Sequence, residues 1–164
     1  MVAMAALREL LADLGFGQAQ SLLQSGNLVF ETRRRPDEVE RVLEREAAAR
    51  LGLETDVFVR TADEWRRLVE RNPFPEAAVR DPSHLLVMVL REAPGGSREE
   101  ALKAALMGGE VVHLDGRHLY ARYPDGFGRS RLTGALVEKL LGTRGTGRNW
   151  NTVLKLGAAA GRSG

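Results

Sequence analysis

Cysteine is absent from the 164-residue chain, which excludes disulfides, thiolate metal sites and a cysteine nucleophile and suits a reducing compartment. No apolar run approaches the roughly 20 residues of a membrane-spanning helix. The opening stretch MVAMAALRELLADLGF lacks a basic leader followed by an apolar core and a cleavage site, so a cytoplasmic protein that does not engage the membrane is expected. Aromatic residues make up only 5% of the chain, which leaves few rings to stack on nucleic-acid bases. Neither sign of charge dominates: 24 Lys and Arg stand against 22 Asp and Glu. The pI near 9.4 reflects the persistence of a small positive excess once the carboxylates are ionised.

What is present, 43% hydrophobic residues, is typical of a soluble globular chain long enough for one domain or for two small halves sharing a core. Met4, Leu7, Leu10, Leu11 and Leu14 follow helical spacing, and Gly15 supplies the stop. QAQSLLQSGNLVFET reads as two short strands or one kinked strand about Ser25-Gly26-Asn27, residues suited to a turn or bulge. Pro36 opens a helix that reaches Leu51 and stops at Gly52. TDVFVR is then expected to be a strand. Thr61 to Glu64 has the form of a capping box that starts a helix running to about Asn72.

Pro73, Pro75 and Pro82 mark a connector, after which HLLVMVLRE is the continuous apolar run of a central strand. Ser97 to Met107 should be a helix, and EVVHLDGRHLYARY a hairpin turning on Asp115-Gly116. Helices from Ser130 to Leu141 and over the RNWNTVLKL segment complete the order. The expectation is one compact α+β unit of two similar halves, residues 1–75 and 76–164. The second half opens with a buried strand and the first does not.

Each candidate for chemistry has a plainer alternative. A turn at Asp115-Gly116 sets His113 opposite His118, but no third ligand has suitable spacing, so no metal is expected. No serine or threonine lies in a recognisable nucleophile motif, and whether the chain is an enzyme is left open. DGFGRSR, Asp125 to Arg131, places two glycines, Arg129, Ser130 and Arg131 ahead of a helix, where an anion can meet backbone amides. Ser130 as a simple N-cap, with the arginines in solvent, explains the same residues.

From Arg117 to Lys155 the bases Arg117, Arg122, Arg129, Arg131, Lys139, Arg144, Arg148 and Lys155 face only Asp125 and Glu138, which concentrates positive charge late in the chain. On a helical wheel Arg148, Asn151, Thr152 and Lys155 form a polar stripe opposite Trp150, Val153 and Leu154. Thr146 and Asn149 are the candidate caps.

Three segments together, QSGNLVF, DGRHLYARYPDGFGRSRLT and GTRGTGRNWNTVLKL, resemble DUF1697, a family of bacterial proteins of unknown function. The resemblance runs over essentially the whole chain and implies two ferredoxin-like halves with antiparallel sheets. It brings no activity, substrate, cofactor or catalytic residue. Members of the family usually begin with a strand and an Arg-Gly-Ile-Asn-Val-Gly-Gly loop, and here the first helix starts at once. The first half is therefore expected to lack its leading strand, a liability because a missing strand leaves an edge unpaired.

The expected function is binding of a small anionic or phosphorylated ligand. Its site would combine Arg129, Ser130 and Arg131 with Arg148, Asn149, Asn151 and Lys155, and Gln24, Ser25 and Asn27 would form a polar wall. The alternatives are a nucleic-acid-binding module on the basic C-terminal surface and a non-catalytic structural latch. No cofactor is called for, and the oligomeric state is not legible.

Overall fold

A computed structural model describes residues 4–22, 26–128 and 130–162. The backbone forms two compact units, Met1–Arg66 with Lys155–Gly164, and Arg67–Leu154.

The first unit begins with α1 (Met4–Asp13), whose Leu10 and Leu11 are buried. Gly15, at φ +88°, ends that turn in the left-handed region that glycine enters without cost. Strands β1 (Gly17–Leu22) and β2 (Asn27–Glu31) form an antiparallel two-stranded sheet. Helix α2 (Pro36–Leu51) has proline in its first turn and stops at Gly52 in the left-handed conformation. Leu11 and Phe16 pack with Val39 and Leu43 of α2 to make the unit's core.

TDVFVR is not a strand. Two of its amides are taken by side chains, Val57 N–H donating to Glu44 Oε2 and Val59 N–H to Glu40 Oε2, both at 2.8 Å. Two glutamates four apart on a helix stand about 6 Å apart along its axis, close to the roughly 6.6 Å between alternate residues of an extended chain. Glu40 and Arg60 are buried together, their side chains 5% and 2% exposed and 3.9 Å apart. Helix α3 (Ala62–Glu70) starts with the expected reciprocal cap: Glu64 N–H donates to Thr61 Oγ1 at 3.0 Å, and Thr61 N–H to Glu64 Oε1 at 2.9 Å.

The proline-rich connector is itself structured, as α4 (Pro75–Arg80) and a single 3-10 turn, Pro82–His84. Proline at the first position of each costs no hydrogen bond. There follow β3 (Leu85–Leu90), α5 (Arg98–Ala104), β4 (Val111–Asp115), β5 (His118–Arg122), α6 (Gly134–Leu141), β6 (Gly145–Asn149) and α7 (Trp150–Arg162). The four strands form an antiparallel sheet in the order β4-β5-β3-β6. Five of the six residues of β3 are buried, so this strand is covered on both faces. Met88, Leu90, Leu119, Ala121 and Val112 meet Leu102 of α5 with Val137 and Leu141 of α6. On the other face Tyr120 is wholly buried, and its hydroxyl donates to the Leu68 carbonyl at 2.5 Å.

Three local expectations need correction. The β4–β5 pairing sets Asp115 opposite His118 and His113 opposite Tyr120, so the turn is Gly116-Arg117 and the two histidines lie on a diagonal. Gly116 at φ +60° is the first central residue of this turn, which is where a two-residue hairpin asks for glycine. Helix α6 starts at Gly134 and not at Ser130, because Thr133 is its cap and accepts the Leu136 N–H at 3.2 Å. Gly145–Asn149 is a strand where a loop and helix start were expected.

The glycines of that strand answer to packing. A Cβ on Gly145 would lie 2.9 Å from Leu90 Cδ2 and 3.2 Å from the Val89 carbonyl, and one on Gly147 would lie 3.1 Å from Leu86 Cδ1. Gly145→Ala should therefore cost about 1–3 kcal/mol through overpacking, read as a lower urea midpoint with an unchanged slope. In the first unit, Glu40→Ala leaves Val59 N–H without its acceptor and removes a buried carboxylate beside Arg60. A loss of about 3 kcal/mol or more is expected in the same measurement, with Glu40→Gln losing less because an amide oxygen still accepts.

Candidate functional site

The register of the second unit's sheet decides what gathers at its ends. Leu85 pairs with Arg122, Arg122 with Val111, and Leu86 with Asn149. The starts of β3 and β4 and the ends of β5 and β6 therefore lie together. At this end meet His84 before β3, Glu110 before β4 and the Tyr123–Leu132 loop after β5.

That loop is held from several sides. Tyr123 N–H donates to the His84 carbonyl at 2.8 Å, and the buried Tyr123 hydroxyl donates to the Leu132 carbonyl at 2.9 Å. Burial pushes the pKa of this phenol up to about 12, so it stays a protonated donor at ordinary pH. The Phe127 ring stands 4.7 Å from that of Tyr123 and edge-on to His84 at 6.0 Å. His84 Nδ1 is 3.0 Å from Asp81 Oδ2.

Ser130 closes the loop against the Met107–Glu110 turn. Its hydroxyl donates to Glu110 Oε1 at 2.6 Å and accepts the Leu132 N–H at 3.0 Å. Between the two segments is a cavity of about 350 Å³, whose wall includes Gly109, Glu110, Tyr123, Asp125, Ser130 and Arg131. The Ser130 hydrogen bond, and after it Glu110's own amide, hold the Glu110 carboxyl below its ordinary value of 4.5. The other oxygen, Oε2, is buried and receives no hydrogen bond from another described residue. Gly108 leaves room for it, since a Cβ there would lie 2.6 Å from Oε2.

Of the residues expected from sequence to bind a ligand, Ser130 and Arg131 line this cavity. Gln24, Ser25 and Arg129 lie outside the described residues. Asn27 is buried in the first unit's hairpin, where its amide donates to the Leu22 carbonyl at 3.3 Å. Arg148 is on β6 opposite Val87, so it does not share a helical stripe with Asn151 and Lys155. Its guanidinium donates to Thr146 Oγ1 at 2.7 Å and to the Gly147 carbonyl at 2.8 Å, and burial lowers its pKa.

Asn149 caps α7, accepting the Thr152 N–H on Oδ1 at 3.0 Å. Trp150, 4% exposed, anchors that helix, while Asn151 and Lys155 are exposed. The late basic run is divided, because Arg117 and Arg144 sit at the far end of the sheet, beside Leu90 and Arg91, and Arg122 and Arg131 at the near one.

Glu110 and Tyr123 were not among the expected site residues, and Asp125 stood only as the start of the DGFGRSR segment. The signal for Glu110 was the Gly108-Gly109-Glu110 step directly before a strand, a place where a backbone turns tightly beside a carboxylate.

A family model described as a protein of unknown function, DUF1697, matches residues 1–120. The chain belongs to the DUF1697 family. No curated protein matches it. Among solved structures, the conserved bacterial protein SP0830 from Streptococcus pneumoniae is similar, with a TM-score of 0.68 and 19% identity over 98% of this chain and 89% of that one. At that identity the likeness shows the fold alone. Among the described residues of this DUF1697 protein, no helix is long and apolar enough to cross a membrane and no group of three potential ligands is placed to hold a metal.

The Ser130–Glu110 bond makes part of the stability depend on pH. A carboxyl whose folded pKa lies below its unfolded one stabilises the fold above the unfolded pKa, and that contribution is lost as pH falls through the folded value. Ser130→Ala should raise the Glu110 pKa toward 4.5, as read by NMR titration. The Tm gap between wild type and variant should be widest near pH 7 and narrower at about pH 3.

Proposed function

We propose that the cavity between Met107–Glu110 and Tyr123–Arg131 binds a small polar ligand carrying both a cationic or hydroxyl donor and an acidic group. The observation that carries this reading is the Glu110 carboxyl, held in its charged form with one oxygen buried and unmatched by any other described residue. An unmatched buried acceptor costs free energy that a donor returns. A cavity of about 350 Å³ is at the lower end of the range for small-molecule sites.

Arg131 in the same wall supplies a planar fork suited to a carboxylate or phosphate. Asp125 and Glu110 together oppose a ligand that is only anionic, and they oppose a nucleic-acid backbone at this place. The anionic ligand expected from the sequence is thereby narrowed to one that also donates.

The test follows the amide signals of Gly108, Gly109 and Gly126 by NMR during titration with phosphoserine, inorganic phosphate and a short single-stranded RNA. Phosphoserine, which carries both kinds of group, should shift these signals saturably. Glu110→Gln and Arg131→Ala should each weaken it about tenfold or more, the scale of a hydrogen bond to a charged group. The proposal fails if phosphoserine moves none of the three signals, or if inorganic phosphate or RNA moves them as strongly with Glu110→Gln making no difference.

A further inference from the structure

Arg33, Arg34 and Arg35 follow one another between β2 and α2, and their partners in the first unit are unequal. Arg35 Nε is 3.7 Å from Asp37 Oδ1. Arg34 lies over the Phe16 ring, 5.8 Å from its centroid. Arg33 is exposed and has neither ion pair nor hydrogen bond among the described residues.

The pairing of Gly17 with Glu31 sets the Leu14–Gly17 turn beside the Glu31–Arg34 turn. Between them is a cleft of about 560 Å³. Phe16 forms a rigid side of it, 5% exposed and packed on Phe30 at 5.1 Å. Contact with the ring favours some conformers of the exposed Arg34 side chain over others, which reduces the entropy lost when its donors engage a ligand. Arg34 N–H also donates to Thr32 Oγ1 at 3.1 Å, so the backbone under the two arginines is turned and held.

Two adjacent guanidinium groups, one oriented and one without a partner, match the tetrahedral oxygens of a phosphoryl group. Glu31 begins the same turn, and its side chain lies beside Gly17, with Oε2 3.9 Å from where a Cβ on Gly17 would be. A carboxylate there repels a bare anion and accepts from a hydroxyl. We propose that this cleft is a second binding site, for a phosphorylated sugar or polyol, with the phosphoryl group on Arg33 and Arg34 and a hydroxyl on Glu31. It is separate from the cavity at Glu110 and stands whether or not that cavity binds its ligand.

The experiment is calorimetric titration of the full chain with ribose 5-phosphate, inorganic phosphate, ribose and a short single-stranded oligonucleotide. Ribose 5-phosphate should bind more tightly than inorganic phosphate, and ribose should give no heat. Arg33→Ala, at an exposed position that leaves Tm unchanged, should weaken both phosphates about tenfold or more. Arg33→Lys, which keeps the charge and loses the fork, should fall between. Glu31→Gln should remove the advantage of ribose 5-phosphate over inorganic phosphate, and the binding that depends on Arg33 should persist unchanged in Glu110→Gln, which separates it from any occupancy of the Glu110 cavity by the same sugar phosphate.

Absence of heat from either phosphate overturns the proposal, and so does binding that Arg33→Ala leaves unchanged. An oligonucleotide that binds more tightly than ribose 5-phosphate, with affinity falling steeply with salt, overturns it in favour of a nucleic-acid backbone.

Discussion

A strand covered on both faces can satisfy its amides only through its two edges, and Leu85–Leu90 is such a strand. Its neighbours β5 and β6 both run antiparallel to it, and the rest of the second unit follows from their approach. Leucine and methionine side chains on the helix-bearing face of β3 extend over β6, so Gly145 and Gly147 are the residues that fit beneath them. The close approach that the Gly145-Thr146-Gly147 spacing permits is to Leu86, Met88 and Leu90. The same pairing collects one set of strand ends, and with them Glu110, the Tyr123–Leu132 loop and His84.

The first unit meets the same demand by different chemistry. Here the chain after α2 is extended, and the Val57 and Val59 amides are taken by Glu44 and Glu40. Burying a glutamate costs desolvation, which its hydrogen bond from Val59 and its place beside Arg60 offset. An apolar residue at position 40 would pack as well and leave the Val59 amide with no acceptor. The glutamate is retained by the backbone it serves.

Legibility followed the range of the interaction. The helix caps at Thr61 and Gly52 and the buried strand β3 depend on residues near in sequence, and they were read with their boundaries nearly right. Strand β6 was missed because glycine has low strand propensity. Its cause lies about 55 residues earlier, in side chains of β3. The hairpin register slipped by one position because Asp115-Gly116 is a strong turn signal, yet pairing of the strands on either side places the turn at Gly116-Arg117. Segment 55–60 has the composition of a strand, and only the presence of two glutamates on α2 shows that its amides go elsewhere. The cavity was half visible. Ser130 and Arg131 were named for their types, whereas Glu110, marked locally only by the two glycines before it, takes its role from the Ser130 hydroxyl twenty positions away.

Charge placement separates the two candidate sites more sharply than residue type does. Both contain arginine, glycine and a carboxylate. At the cavity the carboxylate is the held group: Ser130 keeps Glu110 charged, with an oxygen facing no other donor, and Arg131 is an exposed side chain at the wall. In the first unit the order is reversed, because Arg34 rests against the buried Phe16 ring and Glu31 is a partly exposed side chain beside Gly17. A ligand is selected by the group that cannot move away from it, since a mobile side chain adjusts at small cost and a held one does not. The cavity therefore asks first for a donor, and the arginine cleft first for an anion. A count of basic residues along the sequence cannot distinguish these demands, because it records how many charges are present and not which of them are fixed.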